Sequence, residues 1–169
     1  MFANLFTRRA FAGRIAALVP SLGLAAAAVP SSATPQSDAG GVKKLDYEGK
    51  PASDKGFITP LVIHNGTIYI AGQGAHSHDK GENFPTDIDN HTKHVMESVK
   101  TLVEAGGGTM DSILQLTVYL AKIDDYDGMN QVFKTYFPHG GPARTTVAVA
   151  NLPGNSLVEI NCIAAVTHK

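Results

Sequence analysis

Between Phe57 and Val166 the apolar residues recur with a period of two, then of about 3.6, then of two, and the switch repeats once more. That rhythm admits few folds. Phe57-Ile58-Thr59-Pro60-Leu61-Val62-Ile63-His64 is β-rich, with Pro60 marking an edge or bend. Asn65-Gly66, the strongest short hairpin signal, hands it to a second strand, Thr67-Ile68-Tyr69-Ile70-Ala71. From Asp87 to Ala105, Ile88, His91, Val95, Val99 and Leu102 form one helical stripe, closed by Gly106-Gly107-Gly108. Ser112 to Ala121 alternates as a strand, with Leu114, Leu116, Val118 and Leu120 on one face. Asp124 to Phe137 is a second helix on a stripe of Tyr126, Met129, Phe133 and Phe137. Arg144 to Ala150 and Leu157 to Val166 are two more strands, with the turn formers Leu152-Pro153-Gly154-Asn155 between them. The order β-β-α-β-α-β-β predicts a two-layer α+β domain. Lys43 to Asp54 is polar, with room for a short leading strand.

The beginning of the chain reads differently. Arg8 and Arg9 precede a modestly apolar, Ala-rich run from Phe11 to Val29, and small residues follow, Ala26-x-Ala28 and Ser31-x-Ala33 among them. Charged, apolar and small-residue regions in that order are the pattern of a signal peptide. Thr7-Arg8-Arg9-Ala10-Phe11 has the form of a twin-arginine signal. The expected division is a signal peptide over 1–33, a flexible leader over 34–45 and a folded domain over 46–169, in a periplasmic or secreted protein. Once the signal is cleaved, no membrane association is expected.

A formal net charge of −1 gives no basic field for nucleic acid. The single Cys162 excludes an intrachain disulfide, a CxxC redox pair and a multi-cysteine zinc site. Histidines are more numerous, but His76-x-His78 and the pair His91 and His94 match no recognised ligand spacing, so no metal is expected. His91 lies on the apolar stripe and reads as a satisfied core histidine.

Three segments carry a family likeness. They are Asn65 through Ala71-Gly72-Gln73; Val118-Tyr119-Leu120 through Tyr126, Asn130 and Tyr136-Phe137; and Pro142-Ala143-Arg144-Thr145-Thr146-Val147 with Leu152-Pro153 and Val158-Glu159-Ile160-Asn161-Cys162-Ile163-Ala164. Their order and spacing resemble the RidA (YjgF, reactive-intermediate imine deaminase) family, from about Gly56 to Val166. The resemblance implies a chorismate-mutase-like sandwich, a mixed sheet with two helices packed on one face, and a homotrimer with sites in clefts between subunits. It also implies cofactor-free hydrolysis of small 2-imino acids or enamines to 2-keto acids and ammonia. A non-catalytic small-acid binding module and a chaperone-like trimer remain open alternatives, because a fold does not fix a function.

Arg144 matches the family's substrate-binding arginine, and a guanidinium fork suits a substrate carboxylate. Glu159, charged within an apolar strand, matches the catalytic glutamate that directs water or moves a proton. Thr146 contributes its backbone, and Gly72 allows close approach to the ligand. The chain departs from the family at two places. Thr145-Thr146 stands where Ser-Cys or Ser-Thr is common, so no thiol is available. Gly56-Phe57-Ile58 stands where imine deaminases carry Gly-Pro-Tyr, which puts Ile58 at the position of the pocket tyrosine and leaves Phe57 as an apolar wall. A hairpin with Ala150 opposite Leu157 would place Arg144 and Glu159 on one face, about 13 Å apart, too far for one small substrate without a second subunit.

Overall fold

In the computed structural model, which describes residues 41–75 and 87–167, Asn65 and Gly66 turn the chain with φ of 48° and 72°. Both values lie in the left-handed region that this dipeptide tolerates best. The turn joins β2 (Leu61–His64) to β3 (Thr67–Gly74) in an antiparallel hairpin. The remaining strands are β1 (Lys43–Leu45), β4 (Ile113–Leu120), β5 (Ala143–Ala148) and β6 (Val158–Ala165). Together they form one sheet in the order β1-β2-β3-β6-β4-β5. It is mixed, because β5 runs parallel to β4 while the other neighbours are antiparallel. Since β1 pairs with β2 along Lys43–Leu45, the sheet reaches into the stretch expected to be leader. The expected signal peptide over 1–33 lies outside the described residues.

Helix α1 spans Ile88–Ala105, and its N-cap Asp87 accepts from the Asn90 backbone N–H at 2.9 Å. Hydrogen bonds from Asn90 hold the Asp87 carboxyl below its ordinary range. All of the expected stripe except Ile88 is buried, and the covered face is widened by Thr92, Met96 and Val103. α2 (Tyr126–Phe133) is shorter than the expected second helix, because single turns of 3-10 helix flank it at Ile123–Asp125 and Lys134–Tyr136. Met129, Phe133 and Phe137 enter the core, whereas Tyr126 is 39% exposed at its rim. α1 packs on β3, β6 and α2, so both helices lie on one side of the sheet. Leu61, Ile68, Leu116, Val118, Leu120, Val158 and Ile160 point into that layer and are fully buried. Among the described residues no helix covers the opposite face, and Tyr69 and Val147 stand exposed on it.

Two expectations are corrected. Leu114 does not join Leu116, Val118 and Leu120 in the core but is 55% exposed. The register against β6 shifts between Ile113 and Gln115, so Ile113 takes the core position. The second correction concerns the last two strands, which do not pair with each other. Both flank β4, one parallel and one antiparallel, and the linker after β5 passes the end of that central strand.

His91 is a satisfied core histidine. It is 5% exposed, and its Nδ1 accepts from the Leu157 backbone N–H at 3.0 Å, which fixes the linker to α1. Ser156 does the same for the end of β3. Its buried hydroxyl accepts from the Ala75 N–H at 2.8 Å and donates to the Val158 carbonyl at 2.6 Å.

Candidate functional site

Arg144 sits in register with Leu116 and Cys162 of the adjoining ladders, on the face toward the helices. Because β5 is an edge strand, the long side chain reaches out at the rim of the sheet over α2. Its guanidinium carbon lies 4.6 Å from the Phe133 ring centroid and 5.9 Å from that of Tyr126. Nη2 donates to the Tyr126 hydroxyl at 3.4 Å. No described carboxylate pairs with this cation. An aromatic floor thus holds a guanidinium whose remaining N–H groups have no acceptor among the described residues, a geometry that can receive an anion.

Thr146 lies two residues further along β5, with its side chain toward the core and an Oγ1 that is buried without a hydrogen-bond partner among the described residues. Its backbone points elsewhere. The Val149 N–H bonds the Leu120 carbonyl. By alternation the N–H and C=O groups of Thr145 and Val147 also face β4, and those of Arg144 and Thr146 face the open edge. The backbone amide of Thr146 is therefore on the same rim as the Arg144 cation.

Glu159 is placed by different means. It is in register with Tyr119 and Gly74, on the sheet face without helices, and is half-buried. Its carboxylate lies against the Cα of Gly72, and a Cβ at that position would come within 2.1 Å of Oε1. Gly72 is exposed and sits in a bulge, where the register moves from Ile70 opposite Cys162 to Gln73 opposite Ile160. The buried Gln73 side chain donates to the carbonyls of both Ala71 and Gly72, at 2.9 and 3.2 Å, and so pins the bulge from the core side. Replacing Gly72 with alanine is expected to push the Glu159 carboxylate aside while leaving the fold intact, because the clashing atom ends a flexible side chain. Thermal unfolding within a few degrees of wild type, together with a loss of turnover, is the expected pair of results. Unchanged turnover would remove Gly72 from the site.

Arg144 and Glu159 do not share a face. They register with Leu116 and Tyr119, an odd offset along β4, and odd offsets point to opposite faces. Their Cα atoms are separated by roughly 14 Å from strand spacing and rise. The shared face expected from a hairpin fails because β5 runs parallel to β4 instead of turning back on β6. Within one protomer, a small substrate cannot touch both side chains.

Phe57 and Ile58 are fully and 76% exposed respectively, so neither lines a pocket within the protomer. Asn130 and His139 lie in α2 and in the connection after it. His76, His78, Asp79 and Glu82 lie outside the described residues. Among the described residues no group of three His, Cys, Asp or Glu is arranged to hold a metal ion. Burial pushes the Cys162 thiol up to about 12, which leaves it an inert core group. Periodicity did not single out Tyr126, Phe133 or Gln73 for the site. The two aromatics read as stripe residues, and only the β4-α2-β5 crossover brings them to Arg144.

Comparison with known proteins bears on this arrangement. The family described as endoribonuclease L-PSP matches residues 48–166. A RutC family protein of Pyrococcus abyssi is 37% identical over 122 residues, covering 72% of this chain and 96% of the relative. The 2-iminobutanoate/2-iminopropanoate deaminase of Rattus norvegicus is 30% identical over 123 residues, covering 73% and 90%. Among solved structures, a chain described as an endoribonuclease L-PSP from Entamoeba histolytica superposes with a TM-score of 0.65 at 30% identity, over 74% of this chain and 99% of that one. The structure of E. coli TdcF with bound serine superposes at 0.64 with 27% identity, over 74% and 100%. The match over most of the folded chain, on the same α+β sandwich, establishes that this protein belongs to the endoribonuclease L-PSP family, that of YjgF and RidA.

Proposed function

We propose that the protein hydrolyses small, reactive 2-imino acids or enamines to 2-keto acids and ammonia, without a cofactor, at clefts between the subunits of a homotrimer. The observation that carries this reading is Arg144, a cation laid on Phe133 with no described carboxylate to neutralise it. The imine deaminase names of relatives from Rattus norvegicus and Bos taurus support the reaction class. In this scheme Arg144 holds the substrate carboxylate, and the Thr146 amide on the same edge hydrogen-bonds a substrate oxygen or a water. Glu159 takes a proton from water as its oxygen attacks the imine carbon and returns the proton to nitrogen. Collapse of the carbinolamine then releases ammonia and leaves the ketone. Atoms balance with one water consumed.

The opposite faces of Arg144 and Glu159 support a shared cleft. A neighbouring subunit's Arg144 must approach Glu159, and Phe57, Ile58, Tyr69 and Val147 are the exposed apolar residues available for such a contact. Light scattering on the purified protein should return about three times the mass of the chain. A monomer at micromolar concentration would exclude the shared site. The test of chemistry is to supply freshly generated 2-iminobutanoate and follow release of the keto acid; a rate equal to the uncatalysed one refutes the enzyme. Ile58 favours a second reading, a binding module that captures 2-keto acids in the same cleft, since it offers no hydroxyl where imine deaminases carry tyrosine. Export through the N-terminal signal belongs to the same proposal and would confine the substrate to imines formed outside the cytoplasm.

A further inference from the structure

Tyr126 opens α2 and is 39% exposed beside Arg144. Its hydroxyl oxygen accepts from Arg144 Nη2 at 3.4 Å, a long contact that leaves the oxygen room to move. An accepting phenol keeps its own hydrogen to donate. No described acceptor receives that hydrogen, and none receives the other N–H groups of Arg144. Several donors therefore converge at one rim, backed by the Phe133 ring 4.6 Å below the guanidinium and facing no acceptor. A carboxylate has about four lone-pair directions and is the ligand group that satisfies such a set.

We infer that Tyr126 is a second anchor for the ligand carboxylate, donating its phenol hydrogen to the anion that Arg144 pairs. The inference deepens the proposed function and rests on its assignment of Arg144. It bears on the departure from the family pattern at Ile58. Ile58 removes a hydroxyl from the loop before β2, and Tyr126 brings one to the carboxylate side from α2, a different element. The pocket thereby keeps a phenol but aims it at the carboxylate. Its selectivity should accordingly favour ligands with a free 2-oxo or 2-imino carboxylate over neutral analogues.

The test compares wild type, Tyr126→Phe and Arg144→Ala as full chains. Calorimetry gives Kd for 2-oxobutanoate and for the uncharged 2-oxobutanamide, and steady-state assays give KM and kcat for 2-iminobutanoate. Tyr126→Phe preserves the ring beside Arg144 and removes only the hydroxyl. It should raise Kd for 2-oxobutanoate and KM about tenfold, as for one charge-assisted hydrogen bond, and leave kcat and amide binding near wild type. Wild-type KM and Kd in Tyr126→Phe, with both lost in Arg144→Ala, would overturn the inference and leave the proposed function standing. An equal loss for acid and amide would mark Tyr126 as merely structural and overturn it too. A fall in kcat with unchanged KM and Kd would place the hydroxyl at the reacting atoms instead. If Arg144→Ala binds the keto acid as wild type does, the proposed carboxylate site fails, and the inference fails with it.

Discussion

Arg144→Ala is expected to lower kcat/KM for a 2-imino acid by about ten- to a hundredfold or more. The lost contact is a charge-assisted, two-pronged pair worth roughly 1.5–3 kcal/mol, and each 1.4 kcal/mol is a factor of ten. The loss should fall mainly on KM and on the Kd of the keto-acid product, because the carboxylate is present in substrate, transition state and product alike. Arg144→Lys keeps the charge but cannot present a planar fork or stack on Phe133 in the same way, so it should recover only part of the affinity. Stability should change little. The side chain is half-exposed at the rim, and its partners are an aromatic face and a hydroxyl. Equal kcat/KM in wild type and Arg144→Ala, measured by coupled detection of keto acid, would place the carboxylate elsewhere.

Glu159→Gln should do the opposite to the two kinetic constants. Glutamine fills the same space against Gly72, but it has no oxygen basic enough to take a proton from water. General acid–base groups contribute typically about 10²–10⁴ in rate, so kcat should fall within that range. Product binding, carried by Arg144, should remain near wild type. A module that only captures keto acids separates cleanly from the enzyme here. It loses affinity with Arg144→Ala and has no rate for Glu159→Gln to change. Calorimetry and turnover on the same two variants decide between the readings. Wild-type turnover in Glu159→Gln would require a different proton carrier.

What could be read from the chain was whatever is written in one segment at a time. The α1 stripe worked because His91, Val95, Val99 and Leu102 all face the same layer, and even the polar member was correctly assigned to the core. Val158, Ile160, Cys162 and Ala164 alternate without interruption and all four are buried. Pairing between segments was legible only across Asn65-Gly66, where the expected hairpin formed. Leu152-Pro153-Gly154-Asn155 has the composition of a hairpin turn, and it does turn, with Gly154 and Asn155 at positive φ. Yet the strands on either side bond to β4, one parallel and one antiparallel, and not to each other. A turn residue fixes a local bend, whereas the sheet partner is chosen by burial of whole faces. The identities of Arg144 and Glu159 were therefore available from motif, while their relative orientation depended on a parallel pairing that no local signal encodes. Tyr126 was hidden for the same reason. Its contact to Arg144 crosses 18 positions of sequence.

The bulge in β3 has a consequence for which changes of length the chain can survive. Ile68 and Ile70 face the core, and so do Gln73 and Ala75, so the inward-facing positions pass from even to odd numbers within one strand. Removing a single residue elsewhere in a strand inverts everything beyond it. Removing Ala71 or Gly72 would instead restore plain alternation, with Gln73 and Ala75 still inward and still opposite the same stretch of β6. The fold can spare that residue. The two carbonyls now gathered on one amide would part, the strand would straighten, and the space that the Glu159 carboxylate fills beside Gly72 would change shape. A shortened chain of this kind should keep its melting behaviour far better than its turnover of a 2-imino acid, and that pair of results would assign the extra residue to the chemistry and not the architecture.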